Sequence, residues 1–213
     1  MPGIALPRPL SPAVVAATGN DIDAIRRHIM EATWRVIANE GLTAASTRAI
    51  AGEAGISGGT LYNYFQNHVQ LVAKSIVNHA QALANPVAAL PSRAGQSTVE
   101  VNLRYFVRKA RAVLDELVPT LAAAFSDRDL LDAVRHEMTA VDPLIDPVGV
   151  VERYLLAERK LGRIAPRADC SAAASIMTSM CHDDAFQRSL QGISGKPTSR
   201  NREIEFIARS LTE

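Results

Sequence analysis

Cysteine and net charge are both scarce in this chain. Among 213 residues only Cys170 and Cys181 are cysteines. Two are too few for the disulfide framework of a small secreted protein, and a reducing cytoplasm is the expected compartment. Twenty-three Lys and Arg against 22 Asp and Glu leave a formal net charge of +1, so bulk charge singles out no acidic partner. No stretch reaches the roughly 18 consecutive apolar residues of a membrane span, and no membrane partner is expected. Pro2, Pro7, Pro9 and Pro12 interrupt the apolar start. Without a basic region leading into an unbroken apolar run, residues 1–20 read as a flexible arm rather than a signal peptide. Nucleophile elbow, Walker loop, H-E-x-x-H and Rossmann glycine patterns are all missing. No enzyme activity and no cofactor are therefore expected. Cys181-His182-Asp183-Asp184 is set aside as a metal site, because neighbouring residues on a helix point in different directions and a structural metal needs about four convergent ligands.

What the chain has is helical spacing. The composition, 47% hydrophobic and 21% charged, is ample for a buried core. Strand-like alternation is rare, whereas apolar residues recur at steps of three and four. Ile22, Ile25, Ile29, Trp34, Val36 and Ile37 define a first helix, Ile22 to Asn39, closed by Gly41. Short helices follow at Thr47 to Ala54 and Gly58 to Phe65, with Gly55 between them. Asn67 caps a fourth helix that fades before Asn85-Pro86. Ser97-x-x-Glu100 reads as a capping box for a long helix that Pro119 kinks or breaks. Ser126 caps the next helix, through about Met138. Asp146-Pro147 opens another, which Gly162 stops. Asp169 starts a helix to about Leu190; after a loop from Gly192 to Ser199, the last carries Ile204, Ile207, Ala208 and Leu211 on one face. The expected fold is all-α with about nine helices and no sheet.

Residues 47–66, TRAIAGEAGISGGTLYNYFQ, hold the densest information. Two short helices around a glycine turn make a helix-turn-helix when the packed positions cooperate. Ala51 is small where the helices cross, and Gly55 can take the positive φ of a tight turn. Ile50, Ala54, Ile56 and Leu61 fill the inner face. The opposite face then displays Thr47, Arg48, Gly58, Gly59, Thr60, Tyr62, Asn63 and Tyr64. Glycines at a helix start permit close backbone approach and leave amides for a phosphate. Arg48 suits guanine O6 and N7, and Asn63 suits adenine or phosphate.

The stretch from Arg26 to Leu71, including T-R-x-I-A-x-x-A-G-I-S-x-G-T-L-Y-x-Y-F and the Asn-capped helix after it, resembles the DNA-binding domain of TetR-family transcriptional regulators. The resemblance implies phosphate or groove contacts from Thr47, Thr60, Tyr62 and Tyr64, with Arg48 and the start of the third helix as base readers. Two positions depart from the family pattern. Many members have Lys where Gly58 stands, and most have Lys at His68, where it meets a phosphate; a neutral His68 still donates one hydrogen bond. Residues 21–68 contain four Arg against five acids, a formal charge of −1, so nonspecific attraction to DNA should be weak.

Beyond this domain the resemblance extends only to architecture. It implies a homodimer formed by the last two helices, with Ile176, Met177, Met180, Ile204, Ile207 and Leu211 as candidate interface residues. It also implies an effector pocket among the middle helices, with Tyr105, Phe106, Phe125 and Tyr154 as candidate walls and an unknown small molecule as ligand. The basic run Arg104, Arg108, Lys109 and Arg111 reads as a solvated face. The division expected is an arm (1–20), a helix-turn-helix domain (21–68) and an effector-binding and dimerisation domain (69–213). The function expected is a ligand-responsive regulator, a repressor by family habit, that binds a pseudo-palindromic operator in double-stranded DNA. The alternative is a helical interaction module whose helix-turn-helix no longer binds DNA.

Overall fold

The computed structural model describes residues 12–19, 21–140, 146–192 and 200–213. These residues form ten α-helices and no strand: α1 Pro12–Thr18, α2 Ile22–Glu40, α3 Thr47–Ala54, α4 Gly58–Leu61, α5 His68–Ala88, α6 Val99–Ala124, α7 Arg128–Ala140, α8 Pro147–Lys160, α9 Cys170–Gln191 and α10 Asn201–Thr212. Single 3₁₀ turns lie at Leu42–Ala44 and Leu90–Arg93. The all-α expectation holds, with one helix more than the sequence indicated. That helix is α1, inside the segment read as a flexible arm; it buries Val14 and bonds the Thr18 hydroxyl to the Val14 carbonyl at 2.7 Å. The rest of the arm, residues 1–11 and 20, and most of the Gly192 to Ser199 loop lie outside the described residues.

Helix starts follow local chemistry closely. Asp21, Ser46, Ser57, Asp146 and Asp169 each accept a bond from a first-turn amide. Two caps differ from the sequence reading by one residue. Thr98, not Ser97, accepts from the Val101 amide at 3.2 Å, and Ser97 instead takes a positive φ of 54°. Asp127, not Ser126, accepts from Leu130 at 3.0 Å. The prolines interrupt less than expected: α5 runs through Pro86 and α6 through Pro119. Both lie in the last turns of long helices, where one missing amide donor leaves most of the ladder intact.

The contacts divide into two compact units. One comprises residues up to Ala80 together with Thr120–Val141; the other comprises Gln81–Pro119 and Asp142–Glu213. In the first unit, α2 buries Ile25, Ile29, Ala32, Trp34, Val36 and Ile37. Trp34 stacks on His79 of α5, with ring centroids 3.9 Å apart. Lys74 of α5 pairs with Glu137 of α7 at 3.6 Å, so α7 belongs with the helix-turn-helix rather than with the later helices.

The second unit has a continuous apolar core from α6, α8, α9, α10 and the Leu90–Arg93 turn. Fully buried Glu158 of α8 accepts from the Gly95 amide at 3.3 Å and pairs with Arg163 at 3.3 Å. Asn102 donates to the carbonyls of Arg93 and Gln96, at 3.2 and 2.7 Å. Together these bonds pin the α5–α6 connection onto α6 and α8.

Two candidate sets are rearranged here. Phe106 and Tyr154 are fully buried in the second core, and Tyr105 is half-buried, its hydroxyl donating to the Pro86 carbonyl at 3.1 Å. Phe125 is 66% exposed and falls in the first unit. Of the six interface candidates, Met177, Ile204, Ile207 and Leu211 lie in the chain's own core. Met180 is half-buried against it, and only Ile176 faces outward, at 56% exposure. Periodicity alone cannot separate the inner face of a two-layer helix pair from its outer face when both are apolar.

Candidate nucleic-acid interface

The geometry of residues 46–71 begins with their caps. Ser46 accepts from the Ala49 amide at 3.2 Å and starts α3. Gly55 ends it at φ +67°, and the Ile56 amide donates back to the Ala51 carbonyl at 3.0 Å, a left-handed closure that glycine adopts with least strain. Ser57 then starts α4, accepting from the Thr60 amide at 3.3 Å. Only one turn of α4 is α-helical; Tyr62 to Tyr64 continue as tighter turns, a shorter element than the spacing suggested. Asn67 accepts from Gln70 at 2.8 Å, while the Gln70 side chain accepts from the Gln66 amide at 3.0 Å, so α5 begins at a defined angle. Ile50, Ala51, Ala54 and Leu61 are buried between the helices.

This packing sorts the face inferred from sequence. Arg48, Gly59, Tyr62 and Asn63 are exposed. Tyr62 is 54% exposed, and its hydroxyl lies 3.3 Å from the Thr47 hydroxyl, which ties α4 to α3 across the outer surface. No atom stands within 4 Å of where a Cβ on Gly59 would project, so that backbone is open to a close partner. Thr47, Gly58 and Tyr64 are half-buried.

Two residues sit differently from the expectation. Thr60 is only 4% exposed, and its hydroxyl lies 2.7 Å from the Ser57 hydroxyl; it completes a helix start and does not reach outward. His68 is half-buried with Nε2 donating to the Ala45 carbonyl just before α3, so its ring holds the helix-turn-helix together. His28 does the same at the other end, its Nε2 donating to the Ala54 carbonyl at 2.9 Å. That pairing was invisible in sequence, because a carbonyl at a helix end has no residue signature.

Electrostatics refine the charge count. Arg35 of α2 pairs with Glu53 of α3 at 2.5 Å, and Arg26 pairs with Asp23 at 3.6 Å. Arg27 and Arg48 are exposed and have no ion pair among the described residues. The two cations of this domain left open to a polyanion are therefore Arg27 and Arg48.

Comparison with known proteins agrees with this geometry. Residues 29–74 match the family of bacterial regulatory proteins, tetR family. Over 53 residues the chain is 49% identical to the HTH-type transcriptional regulator PksA of Bacillus subtilis (strain 168), a match spanning 25% of this chain and 26% of that protein. The chain thus spans about a quarter of the curated relative it matches. A TetR-family transcriptional regulator from Mesorhizobium loti MAFF303099 has a TM-score of 0.67 at 19% identity, covering 90% of this chain and 95% of that one. FadR from Bacillus subtilis, solved in complex with stearoyl-CoA, has a TM-score of 0.58 at 16% identity, over 87% and 97% of the two chains. At such identities the structural likeness speaks for the fold; the helix-turn-helix match in residues 29–74 carries the relationship. Residues 29–74 are thus similar to the tetR family of bacterial regulatory proteins, and the chain as a whole shares the fold of the solved TetR-family structures.

Proposed function

We propose that this chain binds a pseudo-palindromic operator in duplex DNA as a homodimer and that a small molecule held by its later helices changes that affinity. The observation that carries the reading is the sorted outer face of α3 and α4. Arg48, Gly59, Tyr62 and Asn63 are exposed together on elements whose caps and glycine turn fix their direction. An α-helix fits the major groove, and Arg48 there can meet guanine O6 and N7 with both arms of its guanidinium. Thr47 and Tyr62 are placed as phosphate or sugar contacts, and Asn63 and the open Gly59 backbone sit beside them. Thr60 and His68 support that surface from within.

One short reading helix recognises few base pairs. Two related by a twofold axis read half-sites about 34 Å apart or a multiple of it, which is why dimerisation matters to specificity. The outer faces of α9 and α10 are proposed to supply the contact. Ligand control follows if the small molecule favours one separation of the two reading heads. Repression relieved by ligand, in the cytoplasm, is the form of control proposed.

Fluorescence anisotropy with duplexes from the region upstream of the chain's own coding sequence tests the reading. Binding of one duplex well above scrambled DNA is expected. Arg48→Ala should weaken it about tenfold or more and relax discrimination at one base position per half-site, since a bidentate contact contributes about 1–3 kcal/mol. Equal binding to every duplex, before and after the substitution, would overturn the proposal in favour of an interaction module without DNA recognition.

A further inference from the structure

The second unit has a cleft between α6 and the start of α10 that DNA recognition does not use. Arg104, Arg108, Arg111 and Asp115 recur along α6 at steps of four, three and four residues, so a single stripe carries three guanidinium groups. Arg200, Asn201 and Ile204 stand opposite. With Val107 and Ala112 they line a cleft of about 440 Å³.

Its charge is lopsided. The lining holds four arginines and one carboxylate, and that carboxylate, Asp115, is already paired with Arg188 at 3.3 Å. Behind the lining, buried Asp184 is shared by Arg111 at 3.1 Å and Arg200 at 3.9 Å. Arg200 also reaches Asp183 at 3.5 Å and Glu203 at 3.3 Å, and Arg104 is held by Glu100 at 2.5 Å. Arg108 differs from these. It is exposed, no ion pair reaches it among the described residues, and its guanidinium lies 5.7 Å from the centre of the Tyr105 ring. α10 begins at the cleft with Arg200 as its N-cap residue and Glu203 in its first turn, so that carboxylate offsets the helix end and the positive field of the cleft comes from its arginines. Arginine's planar fork matches the oxygens of a phosphate or carboxylate. The volume is far more than a bare phosphate ion occupies, and Val107, Ala112 and Ile204 give it an apolar side.

We propose that this cleft binds an organic anion, its phosphate or carboxylate head on Arg108 and Arg104 and its short apolar body against Val107, Ala112 and Ile204. The basic run of α6 is then a binding surface rather than a solvated face. The inference rests on the effector reading only for its link to DNA; the site itself is measured without DNA.

Isothermal titration calorimetry of the full chain with hexyl phosphate, hexanoate and hexanol tests it. Saturable binding of one or both anions at a single site is expected, with none for hexanol. Arg108→Glu should weaken that binding at least about tenfold while leaving the thermal unfolding midpoint in place, and Arg108→Gln should fall between. Tighter hexyl phosphate points to a phosphate ester as ligand, tighter hexanoate to a carboxylate. Absence of saturable heat from either anion, or unchanged affinity in Arg108→Glu, overturns the site. Anion binding that leaves operator affinity unchanged keeps the site and removes its role as the effector's.

Discussion

Gly55 takes φ +67° at the turn between α3 and α4, and the Ile56-to-Ala51 hydrogen bond depends on it. A β-branched side chain there clashes with its own carbonyl, a strain of about 1–2 kcal/mol. Gly55→Val should therefore lower the unfolding free energy by that amount, read as a lower urea midpoint at unchanged m, with Gly55→Asn closer to wild type; an unshifted midpoint for Val would show that the turn relaxes. A second residue-scale effect concerns Cys181 in the α9 core. Burial pushes its thiol up to about 11, the nearby Arg111 opposing and Asp184 adding to the shift. Burial likewise raises Tyr154 and Cys170. An unfolded thiol ionises first, near 9, so the unfolded chain holds fewer protons than the native one from about pH 9 upward. Stability should be full below that pH and decline toward about 11, with a shallower decline in Cys181→Ala. Urea midpoints measured across this range check the sign.

Among the elements, α9 and α10 are apolar on two sides. Met177, Cys181 and Ala185 of α9 face the core with Ile204, Ile207 and Leu211 of α10. On the opposite sides stand Ile176 at 56%, Leu190 at 68% and Phe206 at 73% exposure, with Phe186 at 48% on the flank. Large apolar side chains gathered on one element pair are a common mark of an interface. The double variant Ile176→Glu, Phe206→Glu should sediment as a monomer with unchanged helical circular dichroism. A variant that remains dimeric would place the interface elsewhere. Removing residues 199–213 instead would take Ile204, Ile207 and Leu211 out of the core, so aggregation there would say nothing about the dimer contact.

For the whole molecule, the near balance of charge sets how binding responds to salt. Each reading head offers Arg27 and Arg48 as unpaired cations among the described residues, while Arg35 and Arg26 are held by Glu53 and Asp23. In the proposed dimer these four cations, Arg27 at the backbone and Arg48 in the groove, release about four condensed counterions, so log K against log salt should fall with a slope of about −4, against about −10 for a strongly basic binder. Anisotropy titrations between 50 and 200 mM salt, roughly the range in which this effect is usually read, check it. A slope steeper than about −7 would mean that cations outside the helix-turn-helix reach the DNA.

Local rules settled much of this protein from sequence alone. Helix starts at Ile22, Thr47 and Gly58, the openings at Asp146 and Asp169, the positive-φ glycine at 55 and the buried faces of α2 and α3 depend on neighbours within a turn or two. The nearly fifty-residue pattern from Arg26 to Leu71 carried the family resemblance for the same reason. Tertiary packing decided what spacing cannot encode. Thr60 and His68 occupy positions that the pattern marks as outward, yet Thr60 bonds to the Ser57 hydroxyl at the helix start and His68 to the Ala45 carbonyl, a partner on a separate element that no local spacing names. Met177 and Ile176 are adjacent and both apolar, and only the position of the neighbouring helices makes one core and the other surface. The arginine stripe of α6 became a cleft only when α10 was laid against it. A sequence records which residues share a helix face; what covers that face is set by contacts between segments far apart in the chain, whose partners no local period names.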